Sequence, residues 1–126
     1  MAVVVKPVYV LLTAAYCAGI FLLSSSVSPV RLPDMTMNLD KVLHGVLYGG
    51  LAATVSVGIR RSRPGVRAAV QYVVPVVFAG LYAMTDEFHQ WFVPGRHADV
   101  WDVAADVAGA LVLQTVLCRY VWRIWD

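Results

Sequence analysis

Charge is what this sequence has least of. Only 14% of its 126 residues are Asp, Glu, Lys or Arg, against about 25% in an ordinary soluble domain. Meanwhile 60% are hydrophobic and the mean hydropathy is +0.68. Such a chain cannot cover a water-facing surface, which excludes a soluble globular domain and points to an integral membrane protein. Cysteine is scarce too. Cys17 and Cys118 both fall inside apolar stretches, with no CxxC pair and no lipobox-like run ending in Cys. Neither a disulfide nor thiol chemistry is read from them. The chain also has no Gly-rich phosphate loop, no GxSxG elbow and no HExxH pair. Its basic cluster lacks interleaved aromatics, so nothing supports a nucleic-acid partner.

What is present is four apolar stretches, at residues 7–23, 42–59, 68–91 and 101–121. Their apolar cores have the length of about 20 residues that a helix needs to cross a hydrocarbon layer of about 30 Å. Almost nothing is left over for a soluble domain. The expected fold is all-α, a compact bundle of four transmembrane helices forming a single domain over 1–126. The first span, preceded by Lys6 and free of charge, reads as a retained signal-anchor helix rather than a cleaved leader. A connector of about 15 residues at 24–38, with Pro29 and Pro33, is long for adjacent helices. It reads as a solvated loop, with a lid over polar groups as the alternative.

The strongest orientation signal is the connector after the second span, Arg60-Arg61-Ser62-Arg63-Pro64-Gly65-Val66-Arg67. Positively charged loops stay in the cytoplasm. Lys6, Arg119 and Arg123 agree, because an even number of spans puts both termini on that same side. The other two connectors then face outward, with Trp91 and Trp101 at the outer interface and Trp122 and Trp125 at the inner one.

The ionisable residues that remain are clustered. Asp99, Asp102, Asp106 and Gly109 share one face of a helix at spacings of three and four. Asp86, Glu87 and Gln90 close the third span, before the Pro94-Gly95 break and Arg96. Asn38 or Asp40 is an N-cap candidate for the second span. Lys41, His44 and Tyr48 form a stripe there, beside a Gly45/Gly49 ridge that would admit another helix. Three helices and one turn thus bring polar groups to the same depth on the outer side. A carboxylate at mid-membrane costs about 2.5–3.5 kcal/mol, so Lys41, Arg96 and His44 can offset Glu87, Asp102 and Asp106 only if these faces meet. A salt-bridge network that merely holds the bundle is the structural alternative, though buried ion pairs are weak sources of stability.

Together, Asp40-Lys41-x-x-His44, Asp86-Glu87-x-x-Gln90, Pro94-Gly95-Arg96 and Asp102-x-x-x-Asp106-x-x-Gly109 resemble the VanZ-like family of small bacterial membrane proteins. The likeness covers about two-thirds of the chain, from Asp40 to the end of span four. No one of these motifs is specific, but the set in this order is. Relatives often carry Asn where Asp106 stands here. The resemblance implies a multi-span protein of the cell envelope, in a family whose founder is associated with resistance to the glycopeptide teicoplanin. It supplies no reaction.

The expected function is action on a phosphate-bearing lipid or lipid-linked envelope intermediate at the outer face, by a hydrolase or transferase. Glu87, His44, Asp102, Asp106 and Asp86 are the acid–base candidates. Arg96, Lys41, Gln90, Tyr48 and Asp40 are the substrate-binding candidates, with Arg96 making a two-pronged contact and Lys41 a point contact to phosphate. A non-enzymatic protein binding a lipid head group or the lipoglycopeptide is the alternative. No cofactor is expected. Although His44, Glu87, His89, His97 and Asp102 carry ligand atoms, no metal is assigned, since His89 would face away from Glu87 on a regular helix. A transporter is disfavoured because no internal repeat is visible and nothing polar is expected to cross the inner half of the bundle.

Overall fold

A computed structural model describes residues 4–25 and 37–126. Within these residues the chain forms four helices: α1 (Pro7–Ser25), α2 (Met37–Ser62), α3 (Ala68–Gln90) and α4 (Val100–Val116). A π-helical turn, Leu117–Val121, prolongs α4. All four are long and apolar enough to cross a membrane when that turn is counted. The central part of the expected connector, residues 26–36, lies outside the described residues. Its flanks are helical, with Ser24 and Ser25 in the last turn of α1. Because α2 begins by Met37, Asn38 and Asp40 lie inside it, and neither is an N-cap.

The packing is inverted relative to a water-soluble bundle. Large aliphatic side chains such as Leu11, Leu22, Val46, Leu81 and Val112 point outward, while the interior holds Ala52, Ala79, Ala83, Ala110 and polar groups. Lipid solvates aliphatic side chains as well as the interior does, so small residues that let backbones approach are favoured between helices. The tightest approach is between α2 and α4. A Cβ on Gly109 would collide with the backbone of Gly45, and one on Gly49 would stand 3.0 Å from the Gly109 carbonyl. The Gly45/Gly49 ridge does admit a helix, and that helix is α4.

α1 is attached more lightly. Its Tyr16 hydroxyl donates to the Leu47 carbonyl at 2.6 Å, in the space left by Gly50. Tyr82 of α3 donates to the Cys17 carbonyl at 2.7 Å. Toward its start α1 packs against Gly58 of α2, with an apolar cleft of about 380 Å³ lined by Tyr9, Thr13, Val70, Val74 and Phe78 among others between α1 and α3. Pro75 is buried within α3, and the helix continues through it.

The half of the bundle nearest the arginine-rich connector, which the sequence reading made the inner and apolar half, is not apolar throughout, and this corrects that expectation. Gln71 donates to Ser56 Oγ (2.9 Å) and to the Ser56 carbonyl (3.0 Å), and Gln114 donates to the Gln71 carbonyl (2.6 Å). Trp122 Nε1 also reaches Ser56 Oγ, and the Arg60 guanidinium stacks on the Trp122 ring. Gln71 and Gln114 are fully buried. They tie α2, α3 and α4 together where hydrogen bonds face little competition from water.

Candidate functional site

The opposite end of the bundle is built from the end of α3, the starts of α2 and α4, and the last turn of α1. Six of the seven acidic residues among the described residues lie there: Asp40, Asp86, Glu87, Asp99, Asp102 and Asp106. Helical spacing explains the first level of order. Asp40 and His44 are four residues apart on α2, and Asp102 and Asp106 are four apart on α4, so each pair shares a face. The Gly45–Gly109 contact then sets the two faces against each other.

The cross-helix contacts follow. Lys41 Nζ donates to Asp99 Oδ2 at 2.8 Å and forms a second ion pair with Asp102 Oδ1. His44 Nδ1 lies 3.0 Å from Asp106 Oδ1, and its Nε2 lies 3.7 Å from Asp102 Oδ2. Tyr48, fully buried, donates its hydroxyl to Asp86 Oδ2 at 2.9 Å. The sequence stripe Lys41–His44–Tyr48 thus meets one acidic partner after another, at increasing depth.

Asp99 performs two tasks just before α4. One oxygen caps the helix by accepting the Trp101 N–H at 2.9 Å, and the other accepts from Lys41. The Lys41 ammonium and then the Trp101 N–H hold its carboxyl below the usual carboxylate range. Its backbone N–H donates to Glu87 Oε2 at 2.9 Å. The other Glu87 oxygen, Oε1, is buried and has no hydrogen-bond partner among the described residues, and the same holds for Asp106 Oδ2. Buried polar atoms are nearly always paired, so two unpaired carboxylate oxygens in one small site call for a functional account.

Arg96 is placed by a tight turn. Its N–H bonds the Val93 carbonyl at 3.1 Å across Pro94 and Gly95, and Gly95 takes φ +79°. Proline in the second position and a left-handed glycine in the third suit a type II turn. The guanidinium crosses to α1 and donates to the Leu23 carbonyl at 3.2 Å. Gln90 donates to Ser24 Oγ at 3.3 Å, and Ser25 Oγ lies 2.9 Å from His89 Nε2, whose ring stacks on Phe21. His89 therefore belongs to the α1–α3 seam.

All ten sequence candidates sit at this end of the bundle, and two of the expected pairings form, Lys41 with Asp102 and His44 with Asp106. Lys41 pairs with Asp99 and Asp102, and Glu87 is held by a backbone N–H. Of the five ligand-bearing residues weighed from the sequence, only His44 and Asp102 fall in a metal-compatible group. Its third member is Asp40, and the ligand atoms of all three lie within 4.8 Å of one another. Sequence reading missed Ser24, Ser25 and the capping role of Asp99. The Asp99 signal was readable, since Asp followed by an apolar helical run is a frequent helix start.

Four apolar helices, with a cluster of ionisable side chains at one end, mark a multi-pass membrane protein. The family model for VanZ/LLP1 matches residues 8–122, nearly the whole chain. The chain belongs to the VanZ-like family. No curated protein and no solved structure shows significant similarity to it.

Proposed function

We propose that the acidic end of the bundle is a reaction site for a phosphate-bearing lipid or a lipid-linked cell-envelope intermediate, open to the outer leaflet. The observation that carries this reading is Glu87. It is buried in the last turn of α3, with one oxygen fixed by the Asp99 N–H and the other unpaired among the described residues. A carboxylate held this way, in a low-dielectric setting, is suited to accept a proton from an attacking hydroxyl or water. His44 and Asp102 are the remaining acid–base pair, with Asp106 orienting the imidazole and Asp86 held by Tyr48. Lys41 uses two of its three ammonium hydrogens on Asp99 and Asp102, which leaves one for a phosphate oxygen. Arg96, set in the outer turn, is the second anion contact. Gln90, bonded to Ser24, and Asp40 are the remaining binding candidates. Hydrolysis or group transfer fits such a set of acids and bases.

The placement on the outer side rests on charge. Lys6, Arg60, Arg61, Arg63, Arg67, Arg119 and Arg123 gather at the end that carries both termini, with Asp126 as the one acid there among the described residues. The positive-inside rule assigns that end to the cytoplasm.

A binding role without chemistry is the second reading. The family association with teicoplanin favours it, since holding a lipid head group or the lipoglycopeptide needs Arg96 and Lys41 but not a proton acceptor. Incubating the purified protein with a total bacterial lipid extract separates the two. An enzyme consumes one lipid class and releases a product visible by mass spectrometry. A binding protein carries a lipid through purification unaltered and loses it in Arg96→Ala.

A further inference from the structure

The acidic end carries more negative charge than its own cations balance. Asp40, Asp86, Glu87, Asp99, Asp102 and Asp106 face Lys41 and His44, with Arg96 in the adjoining turn. Within this group one triangle has the make-up of a metal site. Asp40 and His44 stand one turn apart on α2, Asp102 stands opposite on α4, and one ligand atom from each lies within 4.8 Å of the others.

The orientation of each group fits that use. Asp102 divides its oxygens: Oδ1 pairs with Lys41, and Oδ2 turns to His44. The 3.7 Å between Oδ2 and His44 Nε2 is too long for a hydrogen bond. It matches two donors sharing one ion, each at about 2.0–2.2 Å. On the far side of the ring, Nδ1 lies 3.0 Å from Asp106 Oδ1. A carboxylate there accepts the Nδ1 proton and leaves the Nε2 lone pair for a metal, the arrangement by which metal-binding histidines are generally oriented. Two buried oxygens at this end of the bundle lack hydrogen-bond partners among the described residues: Asp106 Oδ2 and Glu87 Oε1, on residues 1% and 7% exposed. An added cation at the triangle offsets the excess of carboxylates around it.

We infer that Asp40, His44 and Asp102 form the protein side of a divalent-cation site, with Asp106 holding the His44 imidazole in the binding tautomer. One imidazole and two carboxylates favour ions of the manganese, iron and zinc group over magnesium or calcium, which prefer all-oxygen sets. The site lies between α2 and α4; when it is filled, His44 and Asp102 serve as ligands and Glu87 remains the proton acceptor of the proposed reaction. The site also removes an obstacle to an anionic substrate, because the cation offsets the carboxylates that a phosphate would otherwise meet.

The test uses Mn²⁺ alone. Purified full-length protein in detergent is stripped with chelator and titrated with Mn²⁺, and free ion is followed by its paramagnetic resonance signal. Wild type takes up one Mn²⁺ per chain. Asp40→Asn and His44→Gln weaken uptake by at least tenfold, and Asp106→Asn weakens it by about 10- to 100-fold. Spin-echo modulation of the loaded wild type shows one coupled imidazole nitrogen, a readout that needs no variant to fold. Absence of stoichiometric uptake, or uptake without nitrogen coupling and unchanged in Asp40→Asn, overturns the inference. Neither readout involves lipid turnover, so the metal site and the lipid reading fail separately.

Discussion

Gly109 of α4 lies so close to Gly45 of α2 that no side chain can be added to Gly109 without striking the Gly45 backbone. The reverse is not true. A Cβ on Gly45 would meet the Ala105 carbonyl at 3.4 Å and the Gly109 Cα at 3.6 Å, near ordinary contact distances. This asymmetric contact fixes the register in which Asp40 and His44 face Asp102 and Asp106.

Gly109→Ala should therefore cost about 3 kcal/mol or prevent folding, whereas Gly45→Ala should cost about 1 kcal/mol or less. Thermal unfolding and size-exclusion profiles in detergent report both. Equal tolerance of the two would mean the helices do not meet here.

The Tyr48–Asp86 hydrogen bond is buried on both sides. Tyr48→Phe strands the carboxylate and should destabilise the protein by about 1–3 kcal/mol. Adding Asp86→Leu removes the stranded group and should recover much of that loss. Additive losses in the double variant would refute the pairing.

The Lys41–Asp99 link has a defined pH dependence. Because Lys41 and the Trp101 N–H hold the folded-state carboxyl below the ordinary carboxylate value, of about 3.9, the link is fully present above that value. It is lost only as pH falls through the lower folded value. Asp99→Asn keeps an N-cap residue while removing the charge. The variant should melt slightly below wild type at neutral pH, and the gap should close in strong acid. A gap that widens on acidification contradicts the assignment.

Orientation is open to labelling. Gly65, in the arginine-rich connector, has open space around it, and Ala98, before α4, is exposed. With Cys17 and Cys118 replaced by Ala, a membrane-impermeant maleimide on intact cells should label Ala98→Cys and spare Gly65→Cys. The opposite pattern would put the acidic pocket in the cytoplasm.

Much of this was readable from the chain because membrane-like sequence makes polar residues conspicuous. The Lys41–His44–Tyr48 stripe, the Asp102–Asp106 face and the Gly45/Gly49 ridge all follow from helical spacing alone. Two things did not. Spacing gives faces but not the register between helices, so it could not show that Asp40 stands with His44 and Asp102, or that Lys41 meets Asp99. Nor did hydropathy reveal the Gln71–Gln114 layer, because single glutamines barely disturb the average of an otherwise apolar stretch. Each has its partner on a different helix. Such partners belong to the packing and to no local pattern.

The central claim, that the acidic end does chemistry on a lipid, turns on one oxygen of Glu87. Glu87→Gln keeps the shape and the acceptor for the Asp99 N–H while removing the proton-accepting carboxylate. The decisive measurement follows, in one preparation, the thermal stability of this variant and its conversion of lipid-extract components by mass spectrometry, beside wild type. The account predicts a folded variant of near wild-type stability that leaves untouched a phosphate-bearing lipid that wild type consumes. Equal conversion by both, or no conversion by wild type, would contradict it.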